Sequence, residues 1–353
     1  MRAKRAIANH RAPAPPGASV MPGRPAPPRM PHADMRVRVK TSPALRRLIP
    51  TRLIVKRAVH QAQEIWERDP PAREDARAAT ETIIAGTPRA HEINQIARGH
   101  LIEANAQTAM FWQPWTTPMC DPRSTERLLE ALTDERGVLL SPCHTGPYAG
   151  SPELLTESLG HDLLLTGGPW FFDEPTPDLW GRRLARWRKG SRAPIINTKG
   201  SFQLLLDMLG WGVCVHLFFD LPGPHATRFL GKPVMLADGT ARLAVQADAL
   251  VLPLRTRRAG HHKRVDVAAP LDPRRFKGVD DLHAALAAQH ERWILERPAE
   301  MTDPRSFGWA ATPTGWNRPR PADEQGRPTE APAADRRRGT SRVAAGGIPA
   351  ADR

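Results

Sequence analysis

Residues 137–150 read GVLLSPCHTGPYAG: a glycine, a short apolar run, then an abrupt change to small and polar residues. An apolar run of that length between turn signals reads as a strand buried on both faces, as strands of parallel sheets are. His144 stands at its end, and open α/β sheets form their sites beyond the carboxyl ends of their strands. The pattern then repeats. HDLLLTGG (161–168), APIIN (193–197), VCVHLFFD (213–220), LVLPLRTRR (250–258) and HKRVDVAAPL (262–271) read as further strands. Between them PELLTESLG (152–160), the basic amphipathic DLWGRRLARWRKG (178–190), SFQLLLDMLGWG (201–212) and TARLAVQADA (240–249) have helical spacing, and a long helix closes the series over 280–298. Strands alternating with helices predict an α/β fold with a mostly parallel sheet flanked by helices.

Upstream the period is helical from Leu45 to Leu132, with a break at Pro50, a stop at Asp69-Pro70-Pro71 and a division at Gly86-Thr87-Pro88. Ser124 is the expected cap of the short helix TERLLEAL. Prolines are denser in the two ends than between them. Residues 1–44 and 312–353, rich in Pro, Ala and Arg, read as a disordered basic arm and a disordered tail around one domain over 45–311.

The net charge of +14 invites a nucleic-acid reading, but its position argues against one. Before Ala58 the sole acid is Asp34, so nearly all the excess lies in the first 57 residues, which lack aromatic residues for base stacking. A polybasic arm suits anionic lipid headgroups, at about 1 kcal/mol per Lys or Arg near the surface. A solvated tail is the equal alternative. No apolar run approaches a transmembrane span, and the basic start, acid-poor like an organelle transit peptide, lacks the apolar core of a secretory signal. The expected location is cytoplasmic, peripheral on the inner face of the membrane. Cys120, Cys143 and Cys214 are odd in number and widely spaced, which argues against a disulfide framework or zinc site and for small buried hydrophobes.

A neutral imidazole at position 144 can accept a proton from an attacking hydroxyl, and Gly146 lets backbone approach a reacting group. A lone histidine after a strand is equally compatible with a structural role. Cys143 beside it suggests a thiol nucleophile, but neighbours on a strand point to opposite faces. Arg228 and Lys232 flank Phe229-Leu230-Gly231, and Arg182, Arg183, Arg186 and Arg188 crowd one helix, where a phosphate of donor or headgroup would fit as well as solvent would. Trp170, Phe171 and Phe172 suit an acyl-chain channel or core. His261-His262 reads as a polar turn, and His216 lies within a buried strand.

The order of these motifs resembles the lysophospholipid acyltransferase-like superfamily, in its lipid A lauroyl/myristoyl and phosphatidylinositol mannoside acyltransferase branch. GVLLSPCHTGPYAG is similar to the family's histidine block, with one extra residue between Ser141 and His144. Arg186 and Gly190 match its R-x-x-x-G. GWGVCVHLFFDLPGP resembles the strand ending in an acid, here Asp220. RFLGKPV, GTARLAVQADALVLPL and HERWILERPAEM resemble three later segments. The resemblance runs from Ala79 to Trp309. It implies transfer of a fatty acyl group from acyl-CoA or acyl-carrier protein to a hydroxyl of a lipid or glycolipid, with His144 as general base, Gly146, Arg186, Arg228, Gly231 and Lys232 binding substrate, and no metal or cofactor.

One departure stands out. The family pairs its histidine with an acid five positions later, and Ala149 occupies that position here. Three readings follow. Another carboxylate, Glu153 or Asp220, substitutes. Alternatively, His144 works unaided on a more reactive acceptor such as an amine. Or the chain is a non-catalytic, lipid-binding relative. A basic nucleic-acid-binding protein is the rival from a different class.

Overall fold

The computed structural model describes residues 48–111, 119–148, 163–168, 172 and 193–306. The expected arm, tail and helices over 152–160 and 178–190 lie outside them.

Three helices come first: α1 (Thr51–Arg68), α2 (Pro70–Ile84) and α3 (Ile93–Phe111). Asp69 ends α1 and caps α2, accepting the Ala72 amide at 3.1 Å, with Pro70 at the first helical position, where a missing N–H costs nothing. Then come β1 (Met119–Cys120), α4 (Pro122–Thr133), β2 (Val138–Pro142), β3 (Leu163–Gly167), β4 (Ile195–Asn197), α5 (Phe202–Gly210) and β5 (Cys214–His216). After β6 (Pro222–Phe229) and β7 (Lys232–Leu236) follow α6 (Gly239–Ala247), β8 (Leu250–Ala259), β9 (His262–Val267) and α7 (Val279–Glu296).

Seven strands form one sheet in the order β1-β9-β8-β2-β5-β3-β4. Every pairing in it is parallel except the β8–β9 hairpin. The fold is therefore the α/β class that the alternating pattern predicts. Alternation along the central strands sends side chains to opposite faces. Leu139, Leu164, Val215 and Val251 join one core cluster with Leu205, Leu209, Leu243, Leu282 and Leu286 from α5, α6 and α7. Val138, Leu140, Leu163, Leu165, Leu250 and Leu252 join the other with Leu128 and Ala131 from α4. A sheet covered on both faces explains why its strands read as continuous apolar runs.

Two elements differ from the sequence-based expectation. Asp121, not Ser124, caps α4: its carboxylate accepts the Ser124 amide at 3.1 Å and the Ser124 hydroxyl at 2.8 Å. The helix begins earlier than expected because Pro122 fits its first position. Residues 222–236 form a separate antiparallel hairpin, β6–β7, that the sequence did not announce. Its two-residue turn has Leu230 at φ 53° and Gly231 at φ 73°, both left-handed, and a leucine in the first place hides the usual Asn-Gly or Asp-Gly signal. Leu230 is nevertheless buried, and its amide donates to Glu291 Oε2 at 2.9 Å.

Gly231 also lets the hairpin tip meet the end of α2, where a Cβ would fall 2.0 Å from the Gly86 carbonyl oxygen. Gly231→Ala therefore meets both a positive φ and a backbone clash. It should lower stability by about 2–4 kcal/mol. Urea unfolding checks this, and an unchanged midpoint contradicts the contact.

Candidate active site

The register of β2 against β5 builds the site. Leu140 pairs with His216, and the chain beyond β5 continues along β2 through Leu217 N–H donating to Leu140 O at 2.9 Å and Phe219 N–H to Pro142 O at 2.8 Å. One residue further, Asp220 arrives opposite His144. The His144 backbone amide donates to Asp220 Oδ2 at 2.9 Å, and His144 Nδ1 lies 2.8 Å from Asp220 Oδ1. Asp220 is fully buried and the His144 side chain is 8% exposed.

Burial alone would raise the Asp220 pKa. The His144 charge, its ring and backbone bonds and a bond from the Cys143 thiol outweigh that and hold the carboxyl below its ordinary range. An ionised Asp220 has only acceptors to offer. His144 Nδ1 must then carry the proton, leaving the Nε2 lone pair as the basic one. Phe218 stacks on the imidazole at 4.0 Å between centroids and 15° between planes, while Tyr148 meets it edge-on at 5.0 Å. The ring is thus fixed in both position and tautomer.

The turn after β2 is sewn to the chain segment beyond α7. Gly146 N–H donates to Glu300 O at 2.8 Å, Thr302 N–H to His144 O at 2.9 Å, and Thr145 bridges Met301. Gly146, at φ 58°, presses on β8, where a Cβ would stand 2.0 Å from the Thr256 carbonyl oxygen. Its freedom serves packing of the turn against β8.

The other expected site residues are placed as follows. Arg228 reaches the Gly231 carbonyl at 3.4 Å, and Lys232 Nζ donates to the Thr82 carbonyl at 3.0 Å and the Glu81 carbonyl at 3.4 Å. Lys232 thus closes the C-terminal end of α2, where orphan carbonyls favour a cation. Gly231 packs on Gly86. Glu153 and Arg186 lie outside the described residues, as do Ala149, Trp170 and Phe171. Asp220, one of the two acids expected to stand in for position 149, is brought to His144. Cys143 is buried in the core, and its thiol pKa is pushed up, by burial first and then by Asp220. A thiol so placed makes a poor nucleophile. His261 and His262 stack at the β8–β9 turn. His216, fully buried, is pushed down to about 3 by burial and by nearby His144.

Phe218, Tyr148 and Glu300 were missing from the sequence reading. The Phe-Phe-Asp ending of an apolar strand carried a signal for Asp220, whereas nothing local marks the Glu300 contact, which spans more than 150 residues. Among the described residues no group of three or more His, Cys, Asp or Glu side chains is arranged to hold a metal, and no helix is long and apolar enough to cross a membrane.

No protein-family model and no curated protein matches the chain. Among solved structures it is similar to the 1-acyl-sn-glycerophosphate (LPA) acyltransferase PlsC from Thermotoga maritima, with 12% identity over 69% of this chain and 96% of that one. The TM-score is 0.33, too low for the likeness to bear on function.

Asp220 supplies a test of the site's electrostatics. Its folded pKa lies below the unfolded value of about 3.9, so its stabilisation is present above that value and lost as pH falls through the folded one. Asp220→Asn should cost about 2–4 kcal/mol near pH 7, with the difference from the parent shrinking below about pH 4. Urea unfolding from pH 3 to 7 checks this. A difference independent of pH would contradict an ionised, paired Asp220.

Proposed function

We propose that the chain is an acyltransferase, moving a fatty acyl group from an acyl-CoA or acyl-carrier-protein thioester to a hydroxyl of a lipid or glycolipid. The observation that carries this reading is the buried Asp220 carboxylate 2.8 Å from His144 Nδ1 at the carboxyl end of β2. The order of the surrounding motifs supports it. In the proposed reaction His144 Nε2 takes the proton of the acceptor hydroxyl as its oxygen attacks the thioester carbonyl carbon. Collapse of the tetrahedral adduct breaks the C–S bond, and the departing thiolate recovers the proton from Nε2. Asp220 holds the tautomer and stabilises the transient imidazolium. The alternative of a base working without an acid has less support, because a carboxylate stands at Nδ1.

The proposed setting is the cytoplasmic face of a membrane. The arginine-rich arm would hold the protein to anionic headgroups, and Arg186, with its match to the family position, is the proposed contact for a phosphate of donor or acceptor.

Purified full-length protein, radiolabelled acyl-CoA or acyl-carrier protein and a panel of lysophospholipid and glycolipid acceptors test this. His144→Ala should lower transfer by at least about 10³-fold, and Asp220→Asn by roughly 10²- to 10⁴-fold. No transfer by the parent, or undiminished transfer by His144→Ala, leaves the non-catalytic lipid-binding reading in its place. Removal of residues 1–44 should weaken binding to anionic liposomes; DNA binding that survives the removal would instead favour a nucleic-acid partner.

A further inference from the structure

Behind the His144 turn lies a strap, residues 298–302, with an unusual occupant. Its Glu300 side chain is 4% exposed, and Oε1 has no hydrogen-bond donor. Arg297 Nη2 comes within 2.8 Å of that oxygen but outside hydrogen-bond geometry. The backbone carbonyl of the same residue accepts the Gly146 amide at 2.8 Å from one side and Gln107 Nε2 of α3 at 3.1 Å from the other. The residues on either side of Glu300 complete the seam: Ala299 packs against Gly99 of α3, and Met301 bridges Thr145. A buried carboxyl whose Oε1 has an ion-pair neighbour in Arg297 but no hydrogen-bond donor therefore sits on the backbone unit that holds the turn bearing His144.

We propose that Glu300 is a positioning residue for His144, its neutral carboxyl letting the strap grip the 143–146 turn and its ionised form loosening that grip. For its effect on turnover this rests on the acyltransferase reading; for its effect on the turn it does not.

The surroundings explain why ionisation works against the packing. From α3, the Glu103 carboxylate faces Glu300 and already pairs with Arg258 of β8, Arg258 Nε donating at 2.8 Å. Arg255 and Arg257 of β8 also face it, but both are committed: each donates to Asp266, at 3.1 and 2.6 Å, and Arg255 also pairs with Glu296 of α7. His100 of α3, buried and held below its ordinary pKa mainly by burial, adds no compensating charge. Beyond the strap, Arg305 is occupied by Asp303 and by Asp75 of α2. Among the described residues Arg297 is the cation at ion-pair distance, 2.8 Å from Oε1 but outside hydrogen-bond geometry. Burial first, then repulsion by Glu103, pushes the Glu300 carboxyl up to about 7, against the pull of Arg297, Arg255 and Arg257. A folded pKa above the unfolded 4.5 means that its contribution to stability is complete below pH 4.5 and lost as pH rises through about 7.

Amide hydrogen exchange of the full-length protein from pH 5.5 to 8.5, followed in peptides covering 143–148, tests the device. After correction for intrinsic chemistry, protection of this turn should fall by at least about threefold across pH 7 in the parent and stay level in Glu300→Gln, which is neutral and isosteric. Glu103→Gln removes the repulsion, so it should move the parent's transition to lower pH, and it serves equally should the first variant not fold. Equal pH dependence in parent and Glu300→Gln, or a transition moved upward by Glu103→Gln, overturns the proposal. In parallel, transfer from acyl-CoA should decline above pH 7 more steeply in the parent than in Glu300→Gln. Absence of transfer in every variant, with the exchange pattern intact, refutes the acyltransferase reading and leaves the strap standing; transfer with identical pH profiles refutes the strap's part in turnover.

Discussion

A carboxylate with no exposed surface is the interaction on which this architecture turns. Moving such an ion out of water costs several kcal/mol even after relaxation. Asp220 offsets that cost with bonds from the His144 amide, the His144 ring and the Cys143 thiol, each of the kind worth roughly 1.5–3 kcal/mol when one partner is charged. All three donors lie on the turn after β2, while the acceptor lies beyond β5. The pairing is satisfied in one register only. A slip of a single residue between β2 and β5 would bury the charge and leave it without its donors.

The same constraint separates what was legible in the sequence from what was not. Apolar runs such as VCVHLFFD announced the buried strands, because a sheet covered on both faces needs apolar residues on both. Pro70 and Asp69 marked a helix boundary through their own backbone chemistry. The hairpin over 222–236 was hidden because a tertiary bond, from Leu230 to Glu291, holds a leucine in a conformation that local preference assigns to Asn, Asp or Gly. His144 was visible at a strand end and Asp220 at the end of another. Their distance was not, since it depends on which strands are neighbours, and among the described residues β3, β4 and α5 stand between β2 and β5 in sequence. Lys232 shows how one signal carries two readings. A cation beside a glycine turn suggested a phosphate, and carbonyls at the end of α2 exert the same pull.

Buried titratable groups give this fold opposing responses to pH. His216 is pushed down to about 3, and His283 and His290 to about 4, by burial foremost in each case. Depressed histidines stabilise the fold above their unfolded pKa of about 6.5 and cease to do so as pH falls through the folded values. Glu300 has the opposite sign, and its contribution disappears on the way up to about 7. Each shift corresponds to roughly 3–5 kcal/mol. The acid side of the stability curve therefore carries more weight, three groups against one. The two histidines of α7 stand beside Phe219, the residue before Asp220, with His290 stacked on it at 5.0 Å. Protonation there would strike the same stretch of chain that delivers the carboxylate.

An acid carried on the histidine's own turn would keep its geometry through local chain connectivity. With Ala149 in that place, the partner arrives from a different strand, and the pair exists only once the central sheet is assembled. Burial follows from the same choice: a residue beyond the end of a central strand, between two helix-covered faces, has no access to water. That burial removes solvent as a competitor for the imidazole. It also makes the site sensitive to anything that shifts the turn after β2 relative to β5. The chain beyond α7 returns to hold that turn through Gly146, His144 and Thr145. Placement of the imidazole is therefore a property of three segments far apart in sequence, the C-terminal one included.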